Sequence, residues 1–396
     1  MQIALIVDAF PPVTSSVAVQ MRDLYTEFVN QGVHPTVFVP SPELNCPWQI
    51  EKWNGGQILR LKTPKTKDVG YFRRTISEFL MPFVILGNLR GSLFLKQRWD
   101  GIVWYSPTIF WGPLVKSLKK SSECRSYLII RDIFPEWAVN IGILRRGIIY
   151  RFFKIIEKFQ YSVADVIGVQ TQSNIAYFNK WGSTSNQRVE VLQNWLADSP
   201  SVGCSISISK TVLAGRKIFV YAGNMGVAQG MDIILSLAES LIKRKDLGFL
   251  FVGRGSSVKR LLSESKKRGL DNTAFFEEID SSEIPGLYEQ CHVGLVVLDP
   301  RHKTHNIPGK FLSYMKSGLP VLASINPGND LADLIACRRV GKVSMAPSVE
   351  KLRLLAEELV REIAVDLEIK SRCQALSSEL FSPKTAVNQI INALTK

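Results

Sequence analysis

Ile218-Phe-Val-Tyr-Ala-Gly-Asn-Met-Gly-Val-Ala-Gln-Gly-Met-Asp232 is a β-branched and aromatic run that breaks at a glycine and then turns helical. A strand that ends in glycines ahead of a helix opens a βαβ unit. The style repeats outward in both directions. Downstream, strands are predicted at 248–252, 273–276, 293–298, 320–323 and 342–345. Upstream they are predicted at 3–7, 36–39, 57–61, 101–105, 127–130, 166–170 and 189–192, with a first helix over 16–31 that Gly32 caps. Apolar strands alternating with helices imply parallel sheets covered on both faces, so the chain reads as α/β with two Rossmann-like domains. A serine-rich stretch without period, 197–214, reads as their connection. The boundaries expected are 1–198 for the N-terminal domain, 199–214 for the linker, 215–375 for the C-terminal domain and 376–396 for a last helix.

Composition agrees with a globular chain of this kind. The 396 residues are 46% hydrophobic and 21% charged, enough for two cores. Six cysteines (46, 124, 204, 291, 337 and 373) form no C-x-x-C pair, which argues against a zinc site or a disulfide framework. The net charge of +14 divides into +8 before residue 199 and +6 after it. An excess spread over both halves suggests an anionic partner: a phosphate ligand, nucleic acid or a membrane surface. The apolar run at 3–7 is too short for a signal peptide, and no stretch of about eighteen uncharged apolar residues occurs. A cytosolic or peripheral protein is expected.

Two segments of the first domain break the pattern. Residues 72–99 set Ile76, Phe79, Leu80, Phe83, Val84 and Leu86 among Arg73, Arg74, Arg90, Lys96 and Arg98. Residues 141–161 mix Arg145, Arg146, Arg151, Lys154 and Lys158 with Ile148, Ile149, Tyr150, Phe152, Phe153 and Ile156. Cations beside aromatic and aliphatic side chains suit a helix lying in a lipid headgroup layer. The alternative is an ordinary core helix with a solvated basic rim.

Ligands of such sheets bind at the carboxyl ends of strands. There, Gly223, Gly226 and Gly230 would let backbone approach a ligand, and the helix that follows would aim its amides at a phosphate. The spacing is neither G-x-G-x-x-G nor G-K-[ST], which weakens NAD and ATP readings. Arg254, in Val252-Gly-Arg-Gly255, stands where it could meet a base or phosphate. Pro308 and Gly309 set a turn that puts Lys310 in the first turn of a helix. A cation is unfavourable there unless an anion shares the site, so a phosphate between Lys310 and the amides of Phe311 and Leu312 is expected.

Phe311-Leu-Ser-Tyr-Met, followed by Gly318-Leu-Pro-Val321, resembles the signature helix of the retaining family 4 glycosyltransferases. Ala9-Phe-Pro-Pro12, the loop at 221–230 and the block 272–300 share that resemblance, which covers nearly the whole chain. Arg131-Asp-Ile-Phe-Pro-Glu-Trp137, Gln193-Asn-Trp195 and His305-Asn-Ile-Pro-Gly-Lys310 are similar to a bacterial O-antigen and capsule subgroup that includes N-acetyl-L-fucosamine transferases. The resemblance implies two facing Rossmann-like domains (GT-B architecture) with a C-terminal helix crossing back to the first. It implies a UDP-sugar donor, a polyprenyl-diphosphate-linked saccharide acceptor taken by the first domain, and an enzyme peripheral on the inner face of the cell membrane. Catalytic roles fall on Arg131, Asp132, His305 and Lys310. Donor binding falls on Ser15, Ser16, Gly223, Asn224, Gly226, Gln229, Arg254, Gly309, Lys310, Phe311, Leu312 and Ser313.

Several family positions differ here. The usual glutamate pair falls on His305 and Ser313, the usual Arg and Lys of the phosphate loop on Asn224 and Gln229, and a usual histidine on Arg131. Lys310, Arg131 and Arg254 are expected to restore the positive charge. Retention by front-face attack lets the leaving phosphate take the proton, so a site poor in carboxylates suffices. No metal and no cofactor are expected, because no D-x-D pair closes a strand. Asp132 and Glu136 are the carboxylates expected to touch the acceptor, with helix capping the alternative for Asp132. Two other functions stay open: a UDP-sugar 2-epimerase and a catalytically silent partner protein. Nucleic acid is not expected, since no stacking platform accompanies the basic segments.

Overall fold

The computed structural model describes residues 1–140, 142–179, 187–198, 202–226, 229–298 and 307–395. The chain divides into two compact units, one of Met1–Trp195 with Pro383–Lys396 and one of Leu196–Ser382.

The first unit runs β1 (Gln2–Ile6), α1 (Ser16–Asn30), β2 (His34–Pro40), β3 (Trp48–Trp53), β4 (Gly56–Leu61), α2 (Tyr71–Asn88), α3 (Leu93–Lys96), β5 (Gly101–Ser106) and α4 (Gly112–Ser122). It continues with β6 (Arg125–Ile130), α5 (Glu136–Asn140), α6 (Ile148–Val163), β7 (Val166–Val169), α7 (Gln172–Asn179) and β8 (Arg188–Val191). Its eight-stranded sheet has the order β3-β4-β2-β1-β5-β6-β7-β8. All pairings are parallel except β3 with β4. The central strands read as unbroken apolar runs because both faces are covered. The antiparallel β3 escapes the sequence reading, since its alternation of Ile50 with Gln49 and Glu51 looks like surface. Trp53 pins it, 5.0 Å from the Phe10 ring and 5.1 Å from the Tyr25 ring.

The second unit runs β9 (Lys217–Ala222), α8 (Asp232–Ser240), β10 (Leu247–Val252), α9 (Val258–Lys267), β11 (Thr273–Phe276), α10 (Ile284–Glu289), β12 (Val293–Val297) and α11 (Gly309–Lys316). β13 (Val321–Ser324), α12 (Leu331–Arg338), β14 (Gly341–Ser344), α13 (Val349–Val365) and α14 (Ile369–Leu380) follow. Its six strands lie in the order β11-β10-β9-β12-β13-β14, all parallel. The stretch expected as an open linker is packed instead. Ile206, Ile208 and Leu213 are buried in the core of this unit, and Lys316 donates to the Ala197 carbonyl and pairs with Asp198. Its serines hid three well-spaced anchors.

The last helix is shorter than 376–396. Residues 376–380 finish α14, and α15 (Pro383–Thr395) belongs to the first unit. Ala386, Val387, Ile390, Ala393 and Leu394 enter that unit's core. Gly101 permits the approach, because a Cβ there would stand 2.7 Å from a Leu394 methyl.

Candidate active site

In the second unit the loop after β9 and the loop after β10 are laced together. Gly223 donates to the Val252 carbonyl (2.9 Å), Met225 to that of Arg254 (2.7 Å), and Ser257 back to that of Met225 (3.0 Å). Glycine is required at the crossing: Gly253 has φ +141°, and a Cβ there would fall 2.1 Å from the Gly223 oxygen. This lacing corrects one expectation. The Gly226 amide is also engaged, donating to Gln229 Oε1 at 3.0 Å, so the amides of Gly223, Met225 and Gly226 hold the loop rather than a phosphate. Gln229 closes the turn from within, and Asn224 stays exposed above Gly255. The start of α8 carries its own carboxylate, Asp232, which takes a two-point contact from Arg260 at 2.5 and 2.9 Å. That leaves it a poor phosphate site.

Lys310 is where positive charge accumulates. Its Nζ donates to Tyr221 Oη at 3.0 Å and sits 4.4 Å from the centre of that ring. The Tyr221 hydroxyl donates in turn to the Asn224 carbonyl at 2.8 Å. Burial pulls the ammonium down to about 8 from its usual 10.5. Among the described residues no carboxylate pairs with Lys310. The Lys310 stem borders Gly223, whose absent Cβ would lie 4.0 Å from Lys310 Cε. Of the neighbours expected to help, Phe311 and Leu312 bury their side chains, and the Phe311 amide donates to the Pro308 carbonyl at 2.9 Å. Ser313 turns its hydroxyl back to the Gly309 carbonyl at 3.4 Å. Arg254 is 79% exposed and paired with Glu278 at 3.2 Å, so its charge is largely answered within the unit. His305 lies outside the described residues.

In the first unit, Ser15 caps α1 by accepting from the Ala18 amide at 3.3 Å, with Ser16 the first helical residue. Arg131 follows β6 and is buried. It donates to the Leu192 carbonyl (2.7 Å) and the Gln193 carbonyl (3.3 Å) and lies 5.0 Å over the Trp195 ring. Burial lowers its guanidinium to about 10. The two segments singled out at 131–137 and 193–195 therefore meet, with Arg131 clamping the turn after β8. Arg131 Nε, Gln193 Oε1 and Asn194 Oδ1 are buried polar atoms without a hydrogen-bond partner among the described residues. Asp132 is exposed beside this clamp, four residues before the start of α5 at Glu136. Glu136 is engaged inward. It accepts from Tyr150 Oη at 2.6 Å and pairs with Lys154 at 3.3 Å.

Asp8, not among the residues expected from the sequence, is a strongly perturbed carboxyl just beyond β1. Burial raises it to about 7, although the Trp111 indole N–H donates to it at 2.8 Å. Glu78 lies close enough to add to the rise; it accepts from Thr108 (2.9 Å) and Arg74 (2.7 Å). Asp8 opens onto a cavity of about 760 Å³ whose polar wall includes Glu43, Glu51, Arg60, Lys65 and Lys67. The signal in the sequence was its place: a carboxylate directly behind the first buried strand.

The two parallel-sheet Rossmann-like units define a class, the GT-B fold of glycosyltransferases. Over 99% of its length the chain superposes on a sucrose-phosphate synthase from Thermosynechococcus elongatus (97% of that chain, TM-score 0.71, 16% identity). HepE from Anabaena, solved with UDP and glucose, matches 99% of each chain at TM-score 0.67 and 15% identity. WaaG, a glycosyltransferase involved in lipopolysaccharide biosynthesis, matches 98% of this chain and 99% of its own at TM-score 0.62 and 16% identity. Residues 216–361, all within the second unit, match the family described as glycosyl transferases group 1. Two curated relatives agree. WbjE of Pseudomonas aeruginosa, named a glycosyltransferase, is 26% identical across 52% of this chain and 53% of its own. WcaI of Escherichia coli (strain K12), named for colanic acid biosynthesis, is 26% identical across 59% and 60%. The matched stretches thus span little more than half of those relatives.

Proposed function

We propose that the chain is a retaining glycosyltransferase of bacterial surface polysaccharide synthesis, taking a sugar from a UDP-sugar to a polyprenyl-diphosphate-linked saccharide at a membrane surface. The observation that carries the reading is Lys310. A largely desolvated ammonium whose hydrogen-bond partner among the described residues is a single phenol oxygen is costly, and an anion arriving at that point removes the cost. In this reading the leaving UDP places its diphosphate on Lys310, beside the open surface of Gly223. As the glycosidic bond breaks, negative charge grows on the diphosphate, and a cation already desolvated there stabilises it more than one in water would. Resemblance to the O-antigen subgroup suggests N-acetyl-L-fucosamine as the sugar, and WbjE and WcaI support polysaccharide synthesis as the setting. The acceptor saccharide is assigned to the first unit's Asp8 cavity, where mixed carboxylates and cations suit hydroxyl groups.

The membrane part of the proposal rests on α6, whose polarity is reversed for a helix in water. Glu157 and Gln160 are fully buried, while Ile148 (87%), Ile149 (62%) and Ile155 (70%) are exposed. On α2, Phe72 (81%) and Phe83 (50%) are exposed as well. The two faces meet where Phe79 lies 6.2 Å from Phe152. An apolar face of this size rimmed by Arg73, Arg145, Arg146, Arg151 and Lys158 fits an anionic bilayer surface. Three of the ten cations expected to face lipid pair with carboxylates, Lys154 with Glu157, Arg74 with Glu78 and Arg146 with Glu136. Among the described residues no helix is long and apolar enough to cross a membrane.

The test is titration calorimetry with UDP, followed by a transfer assay with UDP-sugars on membranes. UDP binding with sugar transfer supports the proposal. UDP binding without transfer to any acceptor would make the chain a silent homologue, and no UDP binding would refute the donor class.

A further inference from the structure

Between α2, α4 and α6 runs a groove of about 560 Å³ whose wall is almost wholly carbon. Phe79, Phe83, Phe110, Ile155 and Phe159 line it, and Lys116 stands at its lip, 5.6 Å from the centre of the Phe159 ring. Lys120 is a second cation on that wall, and among the described residues neither lysine pairs with a carboxylate. The groove opens in the exposed apolar face of α2 and α6. Two of its lining residues are neighbours in sequence of the groups around Asp8. Glu78 bonds Thr108 while Phe79 faces the groove, and Trp111 bonds Asp8 while Phe110 faces the groove. An apolar groove thus lies in the exposed face of α2 and α6, with two lysines on its edge.

We propose that this groove holds the first isoprenyl units of the acceptor's own hydrocarbon chain, with Lys116 and Lys120 meeting its phosphate. The proposal rests on the lipid-linked acceptor named above. Apolar surface of this extent gains stability when covered by hydrocarbon, and the lysines complement a phosphate but not a plain alkane. The saccharide beyond the phosphate would then reach the Asp8 cavity, and the enzyme would select its acceptor by lipid as well as by sugar.

The experiment titrates the full chain with farnesyl phosphate, with inorganic phosphate and, on the same sample, with UDP. Farnesyl phosphate should bind and inorganic phosphate should be at least tenfold weaker. Ser117→Trp, which fills the groove, and Ile155→Asp, at an exposed position that cannot unfold the core, should each weaken farnesyl phosphate at least tenfold. Ile148→Asp, on α6 but outside the groove, should not. Equal binding of the two phosphates, or unchanged binding by a folded Ile155→Asp variant, overturns the proposal. A chain that binds UDP but not farnesyl phosphate overturns the groove alone; one that binds neither overturns the function as well.

Discussion

In the proposed donor site Lys310 sets the electrostatics, and two predictions follow from its surroundings. A charge-assisted contact contributes about 1.5–3 kcal/mol, so Lys310→Ala should weaken UDP about ten- to a hundredfold in calorimetry. The wild-type affinity should also fall as pH rises through about 8, because the free ammonium loses its proton there instead of near 10.5. Below that pH the cation is fully charged and affinity is level; titrations at pH 7 and pH 9 show the difference, and Lys310→Ala should abolish it. Gly253 is the second residue on which the site depends. Gly253→Ala would drive a Cβ to 2.1 Å from the Gly223 oxygen at a φ of +141°. Strain of that kind costs about 1–3 kcal/mol and more where atoms overlap. A lower Tm together with lost UDP affinity is expected.

Among the elements, α6 has the most to explain. It turns Glu157 inward, where Lys154 reaches Oε2 at 2.5 Å and Tyr177 donates to Oε1 at 2.7 Å. Burial nevertheless raises this carboxyl from 4.5 to about 7. The folded chain therefore keeps a proton that the unfolded chain releases, and stability is highest below about 4.5 and falls as pH climbs toward 7, where it levels. At about 1.4 kcal/mol per pKa unit the fall from this group is about 3 kcal/mol. Glu157→Gln should flatten that slope in urea denaturation at pH 5 and pH 8; an unchanged slope would place the cause elsewhere, Asp8 first. The outer face of the same helix gives a membrane prediction. Each cation near an anionic leaflet contributes about 1 kcal/mol. Arg145, Arg146 and Arg151 changed together to Glu should release the chain from anionic liposomes in co-sedimentation without lowering Tm. Equal pelleting with neutral vesicles would contradict the electrostatic part.

For the whole molecule, the last helix couples the chain's end to its beginning. Ile390 is fully buried in the first unit although the chain that leads to its helix, Leu196–Ser382, belongs to the second. Ile390→Ala should cost about 2–5 kcal/mol. With a separate core in each unit, calorimetry should show the transition of the first unit moving down while that of the second stays in place.

The sequence by itself determined the alternation of strands and helices, the two sheets, the glycine-bounded loops and the place of Lys310 in the first turn of a helix. Those are local properties: β-branched runs, glycine breaks and a cation at a helix start are written in a few consecutive residues. It also marked the basic aromatic segments, because their composition is unlike a soluble core helix. Only the tertiary structure decided which partners each group has. The amides of the glycine loop are spent on the next loop, Arg254 on Glu278, and Glu136 on Lys154, pairings between residues far apart in the chain. Asp8 owes its raised carboxyl to burial, with Glu78 adding to the rise and the Trp111 hydrogen bond opposing it, and no spacing in sequence connects it to those neighbours. The anchors inside the serine-rich connection and the inversion of α6 were hidden for the same reason: burial is a property of packing, and a pattern in sequence says which residues share a face, not which way that face turns.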